Sequence, residues 1–323
     1  MTLVRIVKSW TWPDLLRQTP AGDGIWDECR FTLDPVERCD FLVALNHIPA
    51  DLAVTVPPSR VWLFMQEPPE RDYRWAERGF HHFSRIHTQD TRLRGPSIVH
   101  THGSLPWHLD RTYEELLDAD RPEKTRDLAW ITSNLAVTAG HRRRLRFLRR
   151  LLAARVHFDL YGRGFRPIAD KWDALAPSRY ALAIEKMSCE HYWTEKLADC
   201  FLAWAMPIYY GATRLEDYFP AESFVRIDIN DPDAPRRVVE IIRSDLAERN
   251  RAAIDEARRR VLEEHNLFPR LARLIAEERA SNPGAAPQRL HLPRNPDLTR
   301  YYAKTPVLFR AWRRLARQVK PAR

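Results

Sequence analysis

Tyr180-Ala-Leu-Ala-Ile-Glu185-Lys186-Met-Ser-Cys-Glu-His-Tyr192-Trp-Thr194-Glu195-Lys196-Leu-Ala-Asp-Cys-Phe-Leu-Ala-Trp-Ala-Met-Pro207-Ile-Tyr-Tyr-Gly211 is the stretch whose reading decides the fold. Tyr180–Glu185 has the short apolar run of a buried strand, and a polar loop follows. From Thr194 the period changes: Leu197, Phe201, Leu202 and Ala205 recur at helical spacing and stop before Pro207, where a second short strand runs to Gly211. A strand, a helix and a second strand in one unit imply a parallel pair joined by a crossover. Thr194 suits the N-cap, which puts Glu195 and Lys196 in the first helical turn. That turn lies at the carboxyl ends of the strands, where open α/β sheets bind ligands and free backbone N–H groups favour an anion. A solvated Glu–Lys pair at a helix start has the same spacing.

The alternation extends both ways. Asp127–Thr132 and Val156–Tyr161 read as strands around a basic helix, His141–Arg155, and Phe224–Ile227 as another strand. Helices are expected over Ala234–Arg243 and from Asp245 to Arg279. The first third reads as strands at Leu3–Val7, Phe41–Asn46, Val61–Gln66, His82–His87 and Ser97–His102, with short helices at Pro13–Gln18 and Pro69–Glu77 and Pro-rich joints such as Val56-Pro57-Pro58-Ser59. The charged run Asp110–Arg126 marks a boundary. The expected units are therefore 1–120 and 121–280, both α/β with a parallel sheet and a ligand cleft between them, and a basic tail, 281–323. Within the tail, Ser281–Pro296 reads as loop.

Composition agrees with a globular chain: of 323 residues 44% are hydrophobic and 29% charged, which excludes collagen, coiled coil and wholesale disorder. The net charge of +9 is not spread evenly. Residues 284–323 hold ten Lys/Arg and one Asp, so the remainder is neutral. Neither a signal peptide nor a membrane span is expected, since the apolar runs are short and interrupted by charge. Cys29, Cys39, Cys189 and Cys200 lack CxxC spacing and read as reduced, buried thiols in a cytoplasmic protein.

The quoted stretch resembles the donor-domain signature of the α1,3/1,4-fucosyltransferases, glycosyltransferase family ten. Glu185, Tyr192, Thr194-Glu195-Lys196, Pro207-Ile208 and Gly211 match it in order and nearly in spacing. Ser133-Asn134, the arginine-bearing helix and Tyr161-Gly162-Arg163 correspond upstream, and Phe219-Pro220 through Asp228 downstream. The likeness is strong across about 130–230, weak before 120 and absent after 280. It implies a GT-B architecture, two Rossmann-type domains facing across a cleft, with the acceptor in 1–120 and the nucleotide sugar in 121–280. It implies inverting transfer, usually of L-fucose from GDP-fucose, with no cofactor and no metal. Tyr192, Glu195 and Lys196 then contact the donor together with Glu185, and an arginine early in the basic helix holds the diphosphate. That arginine aligns as Arg144, with Arg142 and Arg146 as neighbouring alternatives. Lys186 stands where the family has Asn; if it faces the donor, the preferred sugar or nucleotide differs.

The resemblance also implies a catalytic base. Trp62-Leu-Phe-Met-Gln-Glu67-Pro-Pro is similar to the family's segment for it, which assigns Glu67. On the residues alone, Glu67 ends an apolar strand at a Pro-Pro turn, on the cleft edge. Asp231-Pro-Asp233 has a metal-binding look but sits in a turn-like segment. His100 and His102 would share one strand face, and with His81, His82, His87 and His108 they read as acceptor contacts or surface residues rather than ligands. Trp62, Trp75 and Trp107 suit either sugar stacking or the core. In the tail, Pro306 opens a helix whose Val307, Leu308, Ala311, Trp312, Leu315 and Val319 face one side and Arg310, Arg313, Arg314, Arg317 and Lys320 the other. Such a helix over 306–320 reads as an anchor on an anionic membrane surface. The leading expectation is thus a fucosyltransferase acting on a bacterial lipopolysaccharide-type glycan at the inner face of the plasma membrane. The alternatives are a related transferase with another nucleotide sugar, or a non-catalytic basic protein binding membrane or nucleic acid. Against nucleic acid stand the neutral body and the lack of any helix-turn-helix, RNP or zinc-finger pattern.

Overall fold

The computed structural model describes residues 1–295, with 71–73 described by backbone alone. The first domain contains β1 (Thr2–Val7), β2 (Ile25–Trp26), β3 (Cys29–Thr32), β4 (Phe41–Leu45), β5 (Leu52–Val56), β6 (Val61–Phe64), β7 (Arg85–Thr88) and β8 (Ile98–His100). All but β5 form one sheet in the order β2-β3-β1-β4-β6-β7-β8, parallel except for β2 against β3. Every residue of β4 and of β6 is buried, as a parallel strand covered on both faces requires. After α1 (Tyr113–Leu117) the second domain runs β9 (Arg126–Ile131), α2 (Ala139–Ala153), β10 (Asp159–Tyr161), α3 (Trp172–Leu175), β11 (Ser178–Ile184), α4 (Glu195–Leu202), β12 (Met206–Tyr210) and β13 (Val225–Arg226). Its sheet has the order β10-β9-β11-β12-β13 and is parallel throughout. Then come α5 (Ala234–Arg243), α6 (Leu246–Arg249), α7 (Arg251–Arg260), a π-helical turn at Val261–His265, α8 (Leu267–Ser281) and β14 (Gln288–Leu292).

Each sheet reverses its direction of growth once, between β1 and β4 in the first and between β9 and β11 in the second. A crevice opens outside the carboxyl ends of the strands at such a point. The chain therefore presents Asn46 and Glu67 at one switch, and Ser133 and the Glu185–Thr194 loop at the other. This is the GT-B arrangement.

Two expectations need correction. Residues 121–280 do not form one spatial unit, because α8 crosses back and buries Leu267, Phe268, Leu271 and Ile275 against Val4, Phe31, Phe41, Val43 and Trp62 of the first sheet. The first domain lacks long α-helices of its own: the short helix expected at Pro69–Glu77 is 3-10 helix over 71–82. α8 therefore supplies a cover that its own sequence does not. Ser281–Pro296 is also not all loop, since β14 pairs antiparallel with β5 from Gln288↔Val56 to Leu292↔Leu52. Of β14 only Leu292 is buried, so its sequence shows little of the alternation that betrays a strand. The helix expected over 306–320 lies outside the described residues.

Candidate active site

The loop from β11 to α4 is built around one buried carboxylate. Glu185 is 1% exposed, and its Oε1 accepts the Thr194 N–H at 2.8 Å and the Thr194 hydroxyl at 2.7 Å. Thr194 is the N-cap of α4, its Oγ1 accepting from the Lys196 N–H at 3.3 Å. Glu185 thus folds the loop back so that α4 opens at the sheet's edge. Lys196 Nζ donates to Glu195 Oε1 and Thr194 Oγ1, both at 3.0 Å, and lies 3.5 Å from Glu185 Oε2. Two close backbone approaches keep the site in place. A Cβ on Gly211 would collide with Tyr209 and Glu185, and one on Gly140, in the first turn of α2, would collide with the Lys186 carbonyl.

Among the three candidate arginines of the basic helix, Arg144 is the one that turns inward. It is 5% exposed and donates to Ser133 Oγ at 3.1 Å, while Arg142 and Arg146 are exposed. Its Nε has no hydrogen-bond partner, and burial lowers its pKa against the pull of Glu185 and Glu195. Burial likewise raises the Glu185 pKa, with Lys196 opposing. Burial penalises the charged form of Glu195 too, yet Lys196, His108 and Lys171 hold it well below its usual range. For Lys196 burial acts against the ammonium, but the two carboxylates overrule it and its pKa rises. We read the cluster as charged Lys196 and charged Glu195 over a carboxyl, Glu185, that favours its proton more than an exposed one does.

Across the cleft, the Asn46 amide oxygen accepts the N–H groups of Gln66 at 2.7 Å and Glu67 at 3.1 Å, fixing the turn after β6. Asn46 has φ 68°, the left-handed region that asparagine tolerates. Glu67 then faces the second domain, where Lys186 Nζ lies 3.4 Å from its Oε2. The space between is a cavity of about 250 Å3, with Glu67, Lys186, Tyr192, Glu195 and Lys196 on its walls. The structure thus gathers five of the seven expected residues on one cleft, with Glu185 and Arg144 buried behind them.

Of the other wall residues, Trp10, Trp12 and Pro13 were not singled out for this site, whereas His108 was among the histidines read as acceptor contacts or surface residues. Trp10, Trp12 and the cis-peptide Pro13 come from the irregular segment after β1, whose sequence has no periodicity to place it. His108 packs its ring edge-on to Trp12 at 4.8 Å, and its backbone N–H donates to Asp199 Oδ1 at 2.8 Å. Burial, aided by Lys171 and Lys196 against Glu195, pushes the His108 pKa down to about 3, so the wall presents a neutral imidazole. The other expected groupings do not form. His100 is exposed, whereas His102 is buried and stacked on Trp193 at 4.5 Å, because β8 ends at His100 and the alternation ends with it. Trp62 and Trp107 are core. Asp231 accepts the Asp233 N–H in the turn before α5, and no group of three or more potential metal ligands occurs among the described residues.

The fold is of the GT-B type. Residues 121–251 match the family described as glycosyltransferase family 10 (fucosyltransferase), C-terminal part. A 4-galactosyl-N-acetylglucosaminide 3-alpha-L-fucosyltransferase 9 from Bos taurus is 29% identical over 117 residues, 34% of this chain and 32% of that protein. The human protein of the same name is 27% identical over the same shares. The chain thus spans about a third of the length of the curated relatives it matches. Among solved structures, an alpha-glucosyltransferase in complex with UDP and a 13-mer DNA containing a central A:G mismatch has the same fold, with TM-score 0.51 at 12% identity over 85% of this chain and 99% of that one. An alpha1,3-fucosyltransferase with GDP aligns over 88% of this chain and 92% of that one, with TM-score 0.47 at 14% identity.

Proposed function

We propose that this chain is an inverting glycosyltransferase that moves L-fucose from GDP-fucose to a glycan hydroxyl. The observation that carries the proposal is Glu67 facing the Tyr192–Lys196 turn across one cleft, the turn lying within the residues that match family 10. Glu67 takes the proton of the acceptor hydroxyl as its oxygen attacks the anomeric carbon. The bond from that carbon to the diphosphate breaks in line, and its electron pair leaves with GDP. Charge grows on the leaving phosphate, where Lys196, Arg144 and the N-terminal turns of α2 and α4 stabilise it more than in the ground state. Tyr192 and Glu195 orient the sugar. This set of cations serves the leaving group without calling on a metal.

A second reading is a different nucleotide sugar, favoured by one observation: Lys186 faces the cleft, 3.4 Å from Glu67. Calorimetric titration with GDP and then a panel of nucleotide sugars, on the wild type and Lys196→Ala, separates the two. Saturable GDP binding that is tightened by GDP-fucose and lost in the variant is expected. Preference for a UDP- or dTDP-sugar removes the fucose assignment, and no nucleotide binding at all removes the donor site.

The acceptor in this proposal is a surface glycan of the lipopolysaccharide type, carried on a lipid at the cytoplasmic face of the membrane. Support comes from the ten Lys/Arg of residues 284–323 and the amphipathic spacing of 306–320. No helix among the described residues is long and apolar enough to cross a membrane. Co-sedimentation with anionic vesicles should be lost on deleting 306–323 while turnover on a soluble acceptor persists. Loss of all activity with the tail would favour a non-catalytic, tail-driven binder.

A further inference from the structure

Behind Asn46, on the side away from the donor turn, lies a second chamber of about 260 Å3. Ile48, Leu63, Ala76 and Phe83 give it apolar walls. His47 faces it from the end of β4: it is 5% exposed, and neither ring nitrogen has a hydrogen-bond partner. Buried polar groups are nearly always paired, so an orphaned imidazole in a cavity wall calls for an explanation. His87 is orphaned as well, but it stacks on Phe64 at 4.1 Å and lines none of the described chambers. His47 also packs edge-on to Trp75 at 5.1 Å, but unlike His87 it has space before it. Burial, together with Arg294 and against Glu67, brings its pKa down to about 4, so near neutrality it offers one N–H donor and one acceptor.

The mouth of the chamber is cationic. Exposed Arg78 and Arg294 line it, and no carboxylate does so among the described residues. One wall is the 3-10 stretch of twelve residues, a conformation rarely sustained beyond three or four. Asn46, which fixes the Glu67 turn, borders both this chamber and the cleft.

We propose that this chamber binds an amphipathic anion, its apolar chain against Ile48, Leu63 and Phe83, its polar neck at His47, and its carboxylate or phosphate toward Arg78 and Arg294. The volume equals that of about nine water molecules at ~30 Å3 each, enough for a short alkyl chain. The site stands independently of the transfer reaction, although its shared wall places the ligand next to Glu67. The same chemistry has two sources, a free lipid or the lipid-phosphate portion of a glycan acceptor lying in the cleft.

The test uses the full chain and three probes: octyl phosphate, octyl phosphate carrying a galactosyl group, and uncharged octanol. Calorimetry should show saturable binding of octyl phosphate, at least tenfold weaker for octanol and at least tenfold weaker in His47→Phe. Ala76→Leu, which adds bulk to the chamber and keeps His47 in the sequence, should weaken it likewise, and unchanged GDP titration confirms that both variants keep the second domain intact. Tighter binding of the galactosylated probe assigns the site to the acceptor, and equal binding assigns it to a free lipid. No saturable binding by the wild type, equal binding of octanol, or variants that bind as well as wild type would overturn the proposal. GDP binding without probe binding would sink this inference alone, leaving the donor site intact.

Discussion

Lys196 is the residue on which the donor site is balanced. Its ammonium lies between two carboxylates of its own domain, so Lys196→Ala takes from buried Glu185 the cation that lies 3.5 Å from its Oε2. Breaking such a pair costs about 3 kcal/mol, near the lower end of the range because 21% of the lysine side chain reaches solvent. The variant should show a lower urea midpoint as well as lost GDP binding. Glu67→Gln is a cleaner probe of chemistry: turnover should fall by ~100-fold or more through loss of the base, with GDP affinity unchanged. A weakened GDP affinity instead would place Glu67 in donor binding. The buried histidines set the acid limit. Burial first, and then Arg270, bring the His265 pKa down to about 4 against its Tyr218 carbonyl partner. A depressed folded-state pKa means that the stabilisation is intact above about 6.5 and is lost as pH falls through about 4. Between pH 7 and 5 the loss is roughly 2 kcal/mol for this imidazole, and His265→Gln should flatten that part of the urea-midpoint profile.

At the scale of elements, the approach of α2 to the β11–α4 loop joins the two halves of the donor site. Gly140→Ala must push the helix start off the Lys186 carbonyl, so GDP affinity should drop while circular dichroism stays native. Retained affinity would show that Arg144 does not reach the donor from α2. The caps of these helices were legible beforehand in part: Thr194 stood out at the change of period. Thr138, which caps α2 in a box with His141, was hidden because the expected helix began at His141 itself. The strands of both parallel sheets were legible where burial on two faces makes a run apolar. β2, β3, β5 and β14 were not, since short or half-exposed strands carry only a few buried side chains each.

For the whole molecule, the decisive feature is that the chain returns. α8 leaves the second domain and completes the core of the first, where Phe268 is fully buried with its ring 5.0 Å from Phe31. Phe268→Ala should cost about 3–5 kcal/mol and lower the urea midpoint reported by Trp62 in the first sheet. An unchanged midpoint would mean that α8 merely rests on that domain. The sequence by itself determined the alternation of strand and helix, the change of period at Thr194, the motif Tyr192–Lys196 and Glu67 at a strand end, because local side-chain pattern dictates each of these. Tertiary packing alone decided that Arg144 rather than Arg142 or Arg146 turns inward, that Lys186 reaches Glu67 across the cleft, that Trp10, Trp12 and His108 wall it, and that His47 faces a second chamber. Those outcomes depend on how distant segments pack and which polar atoms lose their water, and no local pattern of residues encodes that.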